Sequence, residues 1–257
     1  MKMIIDGREI YAIPGETILE TAKRAGISIP TLCHHPAFQG QGRCRLCLVE
    51  VNRRDDKKIV ASCTYPVPEE GEEGEGMEVK TSTPEIEEIR KDIVMLLYKQ
   101  APASKLIQDL FRQYRCAENS LRENSGEKCI LCNLCVRACE EMGTGAISLV
   151  MRGTEKRIAT PFDEASPDCI GCGACAAICP TGAIEMKDDK VSRKRHIWHQ
   201  HFDLVPCARC GELFATRKQL NFIVRREGKS YETSSYCEAC RKKLTAKTIA
   251  DFRQGIE

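Results

Sequence analysis

The sequence predicts an α+β protein assembled from small metal-centred modules, and three observations predict it. A strand, turn, strand and helix pattern precedes the first cysteine, one cysteine motif starting at Cys129 recurs at Cys169, and two further cysteine pairs close the chain. Seventeen cysteines in 257 residues set the class. Disulfide scaffolds are usually short secreted chains, whereas this density in a longer chain points to metal ligation. Met1 to Asp6 holds only two consecutive isoleucines before an aspartate, so no export signal is expected and the reducing cytoplasm is the expected compartment. The longest apolar run, Ile93 to Tyr98, falls far short of the roughly 18 residues a bilayer span needs, which argues against direct membrane insertion. With 39 basic and 37 acidic residues, the chain has no global field to attract nucleic acid or anionic lipid. The acidic stretch Glu69 to Glu78 and the basic clusters Arg193-Lys194-Arg195 and Arg241-Lys242-Lys243 read as solvated surface.

The elements follow in order. Met3 to Ile5 and Ile10 to Ile13 read as a hairpin around Asp6-Gly7, a dipeptide that favours tight hairpin turns. Ile18, Leu19, Ala22 and Ala25 then share one helical face, and Gly26 with Pro30 ends the run. A Pro/Glu/Gly-rich linker over 66–76 leads to an amphipathic helix marked by Ile86, Ile89, Ile93, Leu96 and Leu97. Pro102 interrupts it, and Leu106, Ile107, Leu110, Phe111 and Tyr114 mark a second helix. Both stripes read as packing faces. The expected division is residues 1–80, a helical linker 81–125, a duplicated module 126–190 and a tail 191–257.

The duplicated motif is C-x2-C-x2-C-x3-C: Cys129, Cys132, Cys135, Cys139, then Cys169, Cys172, Cys175, Cys179 with Pro180. Three close thiolates cap three irons of a cubane, and the fourth, carried away by the following turn, ligates the other cluster. One 4Fe-4S cluster is therefore expected on Cys129, Cys132, Cys135 and Cys179, and the other on Cys169, Cys172, Cys175 and Cys139. Eight buried cysteines without metal would have no packing reason for this spacing. Cys33, Cys44, Cys47 and Cys63 follow C-x10-C-x2-C-x15-C, which suits a 2Fe-2S cluster. The loop Gln39-Gly40-Gln41-Gly42-Arg43 would let backbone amides approach the sulfides. Zinc is the alternative there, although structural zinc sites usually pair two short knuckles.

Cys207, Cys210, Cys237 and Cys240 do form two knuckles, with Gly211 placed to turn the first, and zinc is expected. A third cubane is the rival, since four thiolates hold either centre. Cys116 is left over. His196, His199 and His201 suggest a linker or docking segment more than a metal site, because no fourth ligand lies nearby. His34 and His35 read as residues beside the centre at Cys33, which four cysteines already complete.

Cys33-His34-His35-Pro36, Gly42-Arg43-Cys44-Arg45-Leu46-Cys47-Leu48-Val49-Glu50 and Ala61-Ser62-Cys63-Thr64-Tyr65-Pro66-Val67 resemble the N-terminal part of the large iron-sulfur subunit of respiratory complex I and of related hydrogenases and formate dehydrogenases. Glu127 to Glu140 and Thr160 to Ala183 resemble the double-cubane module of that family, so the resemblance covers about residues 1–190. The compact length is similar to the diaphorase-side small subunit of soluble NAD(P)-linked hydrogenases. The resemblance implies a β-grasp 2Fe-2S ferredoxin-like domain, a double 4Fe-4S ferredoxin-like domain and a small C-terminal zinc-knuckle domain. It implies partners too: a flavin-containing NAD(P) oxidoreductase subunit and hydrogenase subunits, or the equivalent formate dehydrogenase, with electron bifurcation left open. Two departures matter. The family often carries a histidine and three cysteines between the two modules, whereas Lys99 to Glu127 offers only Cys116, so that cluster is expected to be absent. The tail instead resembles the C-terminal extension of hydrogenase and formate-hydrogenlyase ferredoxin-like subunits.

Neither G-x-G-x-x-G nor G-x-x-x-x-G-K-[ST] occurs, nor a serine or cysteine triad signature, so the sequence gives nucleotide binding and hydrolysis no local support. The expectation is a non-catalytic electron-transfer subunit of an oxidoreductase complex. A redox-sensing regulator that binds nucleic acid is the reading from another class, and the near-neutral charge without a basic aromatic stripe opposes it.

Overall fold

The structure is a computed structural model that describes residues 2–53, 56–68, 77–121, 123–189, 192–195, 198–228, 230 and 234–254. It divides into two compact units, Met1–Leu134 with Cys179–Ala183, and Cys135–Ile178 with Ile184–Glu257.

The first unit opens with β1 (Lys2–Ile5) and β2 (Arg8–Tyr11), an antiparallel hairpin. Asp6 and Gly7 both have positive φ, 48° and 77°, as a type I′ turn requires. Helix α1 (Ile18–Arg24) starts in a capping box, with Thr17 accepting from the Glu20 amide and Glu20 reaching back to the Thr17 amide. Its Ile18, Leu19 and Ala22 are fully buried. β3 (Leu48–Arg53), β4 (Asp56–Ala61) and β5 (Glu78–Lys80) complete a sheet of order β2-β1-β5-β3-β4, in which β1 and β5 run parallel at the centre. A hairpin, a helix and a central parallel pair make this the β-grasp arrangement that the resemblance implied. Most of the linker and acidic stretch, residues 69–76, lies outside the described residues.

Helix α2 (Pro84–Gln100) is capped by Thr83, and α3 (Lys105–Gln113) packs beside it. Of the expected stripe on α2, Ile86 is buried and Ile93 and Leu97 pack against the core, but Leu96 is 54% exposed and Arg90 and Val94 are buried as well. Spaced four apart, Ile86, Arg90 and Val94 form one ridge, and an arginine can join it because the protein supplies partners for its charge. Arg90 is 3% exposed and donates to the carbonyls of Leu46 (3.1 Å), Leu48 (2.7 Å) and Thr81 (2.8 Å) and to Glu87 (2.8 Å).

In the second unit, helix α4 (Leu134–Glu141) leads, from Cys135 onward, to the hairpin β6 (Ser148–Val150) and β7 (Arg157–Ala159), then to the short helix α5 (Ala174–Ala177). A four-stranded sheet of order β11-β10-β9-β8 follows, built from β8 (Lys187–Asp188), β9 (Ser192–Arg195), β10 (Gln200–Pro206) and β11 (Leu213–Thr216). Helices α6 (Arg217–Glu227) and α7 (Glu238–Gln254) complete it. The tail lies against residues 166–171: Thr216 Oγ1 donates to the Ile170 carbonyl, Arg193 to Gly171 O (2.9 Å) and Gln200 to Ser166 O (3.1 Å).

Candidate metal centres

The first centre is built by the loop between α1 and β3 and by the turn after β4. Cys33, Cys44, Cys47 and Cys63 are all buried. They come together as two pairs: Cys33 with Cys44, and Cys47 with Cys63, each pair sharing a sulfur–sulfur hydrogen bond. The Cys33 thiol pulls Cys44 down to about 6, and Cys63 does the same to Cys47, at about 7, while Cys33 and Cys63 are pushed up in return. Two pairs suit two irons with two thiolates each. Backbone amides line the site as expected: Cys44 N donates to Cys33 Sγ (3.3 Å), Leu32 N to Cys44 Sγ (3.4 Å), and the Gly42 amide to Cys63. Gly40 is tied to this geometry, since a Cβ there would overlap the Cys63 carbonyl.

Cys129 and Cys132 lie in the same unit with Cys179. Burial, foremost, pushes the Cys129 thiol up to about 11, and the charges of Glu127, Cys132 and Cys179 add to it. Burial also raises Cys132, which feels Cys179 and, from the first centre, Cys44. The loop curls through left-handed backbone at Leu131 (φ 55°) and Asn133 (φ 70°). Its repeat does the same at Gly171 (φ 69°) and Gly173 (φ 83°), so the duplication holds in backbone conformation as well as in spacing.

In the second unit, Cys139, Cys169, Cys172 and Cys175 line one small cavity with Ile147, Met186 and Phe202. Burial raises Cys172, and the nearby charges of Cys175, Cys139 and Cys169 reinforce the shift. Apolar cover, four converging thiols and backbone amides suit a cubane.

The tail holds a tighter set. The sulfurs of Cys207, Cys210, Cys237 and Cys240 lie within 4.8 Å of one another, the one such group among the described residues. Cys210 Sγ and Cys237 Sγ are 3.7 Å apart. Gly211 (φ 75°) turns the first knuckle, its amide donating to Cys207 O at 2.9 Å. Burial pushes Cys207 up, but the amides of Cys237, Cys210 and Arg209 outweigh it and hold the thiol at about 6. His199 and His201 are not gathered into this group, and His196 lies outside the described residues.

Three family models match: a 2Fe-2S iron-sulfur cluster binding domain over residues 1–84, and 4Fe-4S dicluster domains over 124–186 and 168–215. The chain is 29% identical over 211 residues to an NADH-quinone oxidoreductase component of Rhizobium meliloti, covering 72% of this chain and 24% of the relative. It is 29% identical over 218 residues to the NADP-reducing hydrogenase subunit HndD of Solidesulfovibrio fructosivorans, covering 72% and 36%. With the NADPH-Fe(3+) oxidoreductase subunit alpha of Geobacter sulfurreducens it shares 30% over 215 residues, covering 74% and 24%. A crystal structure of NAD+-reducing [NiFe]-hydrogenase in the H2-reduced state contains a chain that superposes with a TM-score of 0.58 at 28% identity, covering 71% of this chain and 85% of that one. This is an iron-sulfur protein related to these oxidoreductase and hydrogenase subunits. It spans roughly a quarter to a third of the length of the curated relatives named here.

Several residues of this iron-sulfur protein were not singled out by its sequence. Arg90 holds the carbonyls on either side of Cys47, and its signal was an arginine at helical spacing between Ile86 and Val94. Asn133, inside the second cysteine loop, donates to Gln41 of the first at 3.4 Å. Cys116 packs at the edge of the first centre, its Sγ 3.4 Å from Lys91 O. No described helix is long and apolar enough to cross a membrane.

Proposed function

We propose that the chain is an electron relay between a flavin-containing NAD(P) oxidoreductase subunit and a hydrogenase subunit. In this reading one 2Fe-2S cluster sits on Cys33, Cys44, Cys47 and Cys63, one cubane on Cys129, Cys132, Cys135 and Cys179, and a second on Cys169, Cys172, Cys175 and Cys139. Electron tunnelling falls exponentially with distance, so consecutive stations need ligands packed together. The observation that carries the reading is that Cys132, half-buried, packs against the buried cluster that holds Cys33 and Cys44, where its loop also meets the first through Asn133 and Gln41. Cys135 in turn shares a buried cluster with Cys175 and Cys139. In this reading the stations follow the order 2Fe-2S, first cubane, second cubane. The domain division is 1–80, 81–125, 126–190 and 191–257, and the compartment is the reducing cytoplasm, which keeps sixteen metal-binding thiols reduced.

For the tail we propose one structural zinc ion. A Zn–S bond of about 2.3 Å puts neighbouring sulfurs of a tetrahedron about 3.8 Å apart, and the Cys210–Cys237 separation of 3.7 Å fits. A cubane spreads its thiolates over four irons and needs them further apart. The second reading, a third cubane, draws on the dicluster match over 168–215, which reaches Cys207 and Cys210.

The test uses the anaerobically reconstituted whole chain. Alone it should turn over neither hydrogen, formate nor nicotinamide; with the flavin subunit added, NAD(P)H should reduce its clusters. Turnover by the purified single chain would overturn the relay. Copurification with a molybdopterin subunit would replace the hydrogenase by a formate dehydrogenase.

A further inference from the structure

The two cubane motifs are followed by the same four residues, Thr144-Gly145-Ala146-Ile147 and Thr181-Gly182-Ala183-Ile184, but at different distances from their cysteines. Four residues separate Cys139 from Thr144, and one separates Cys179 from Thr181. The longer turn brings Thr144 Oγ1 to 3.1 Å from Cys139 Sγ and the Ala146 amide to 3.2 Å from the same sulfur. The equivalent Thr181 hydroxyl stands 3.6 Å from Cys179 Sγ. The Thr144 hydroxyl also lies 3.2 Å from the Cys139 carbonyl, but that oxygen already accepts from the amides of Thr144 (3.2 Å) and Gly145 (3.3 Å). Two amides occupy its lone pairs. A cysteine that ligates iron is a thiolate and can only accept, so the single hydroxyl proton goes to the sulfur, the charged and stronger acceptor. The turn is braced for this role: Arg226 of α6 donates to Met142 O at 2.8 Å, and Gly143 lies against Arg226 and Phe222.

We infer that Thr144 is a positioning residue that raises the reduction potential of the cubane on Cys169, Cys172, Cys175 and Cys139 above that of its twin. Hydrogen bonds to cluster sulfurs stabilise the reduced form, which carries the extra negative charge. The asymmetry makes the second cubane the electron sink of the pair. This rests on the ligand assignment proposed above, and the experiment separates the two.

The test is a redox titration of the reconstituted full chain, following each cubane by EPR. Cys139→Ser first checks the ligation: loss or alteration of the second cubane supports it, and an unchanged signal would refute the assignment itself. Thr144→Val should then shift the reduction equilibrium of that cubane about tenfold toward the oxidised form, about 59 mV for one electron. Thr144→Ser should restore it, and Thr181→Val should move the other cubane by much less. If the Val protein does not load its cluster, pulsed EPR of the wild type in D2O decides, since a strongly coupled exchangeable proton must be present and must persist in Thr144→Ser. An unshifted potential in Thr144→Val, equal shifts in the Val and Ser variants, an equal effect of Thr181→Val, or the absence of that proton would each overturn the inference.

Discussion

Replacing Gly40 with alanine should remove the 2Fe-2S cluster while leaving both cubanes in place. An ideal Cβ at Gly40 overlaps the Cys63 carbonyl oxygen and stands 2.7 Å from the carbonyl carbon and 3.0 Å from the Cys63 Cβ. Relaxed carbon–carbon contact begins at about 3.5 Å, so the carbonyl carbon alone would require the loop and Cys63 to separate by about 0.8 Å, and the overlapping oxygen requires more. Metal–ligand distances tolerate only about 0.2 Å. The obstacle is backbone and cannot swing aside like a long side chain. Gly42→Ala, two residues on, is the control. Its Cβ would meet Arg45, Ala61 and Thr64 at 3.5–3.6 Å, ordinary contact, and only its left-handed φ of 61° is strained. That costs about 1–2 kcal/mol and should leave the cluster assembled in a less stable protein. The assay is iron content with EPR of the reduced, reconstituted chain: about ten irons for wild type and Gly42→Ala, and about eight with no 2Fe-2S signal for Gly40→Ala. A full 2Fe-2S signal in Gly40→Ala, or equal loss in both variants, would refute the close-approach argument.

Metal analysis should find one zinc per chain beside about ten irons, whereas about fourteen irons and no zinc would establish a third cubane in the tail. Cys237→Ser should release the zinc and, because the tail covers residues 166–171, make the second cubane more oxygen-sensitive while the 2Fe-2S signal persists; equal lability of all clusters would count against this packing. Arg90→Met strips the buried carbonyls of Leu46, Leu48 and Thr81 of a charged donor, and should destabilise the first unit by about 3 kcal/mol or more, read as an earlier urea midpoint for loss of 2Fe-2S absorbance; a change below about 0.5 kcal/mol would discard that role. Glu16, hydrogen-bonded to Arg24, titrates at about 2 in place of 4.5. A depressed folded pKa gives stability that is present above pH 4.5 and lost as the pH falls toward 2, so Glu16→Gln should flatten that acid limb in a pH series of melting temperatures.

The cysteine frameworks were legible because ligation imposes spacing on neighbouring residues, and the N-terminal hairpin and helix because Asp6-Gly7 and the apolar face around Ile18 are local signals. β3, β4 and the tail strands were not anticipated. β3 and β4 alternate weakly, and β8 to β11 are held by pairing and by a surface around residues 166–171 that no local window contains. Arg90 hid for the same reason: its partners include carbonyls some forty residues away in sequence. By itself, then, the sequence determined four cysteine sets with metal-ligand spacing and a duplicated motif, since thiolate number and spacing are covalent properties of the chain. Only the tertiary structure decided that the loop of Cys132 meets the loop of Cys33 and Cys44, why Gly40 has no room for a side chain, and that Thr144 stands closer to its sulfur than Thr181 does. Those are distances set by how the chain turns and packs, and only the folded chain fixes them.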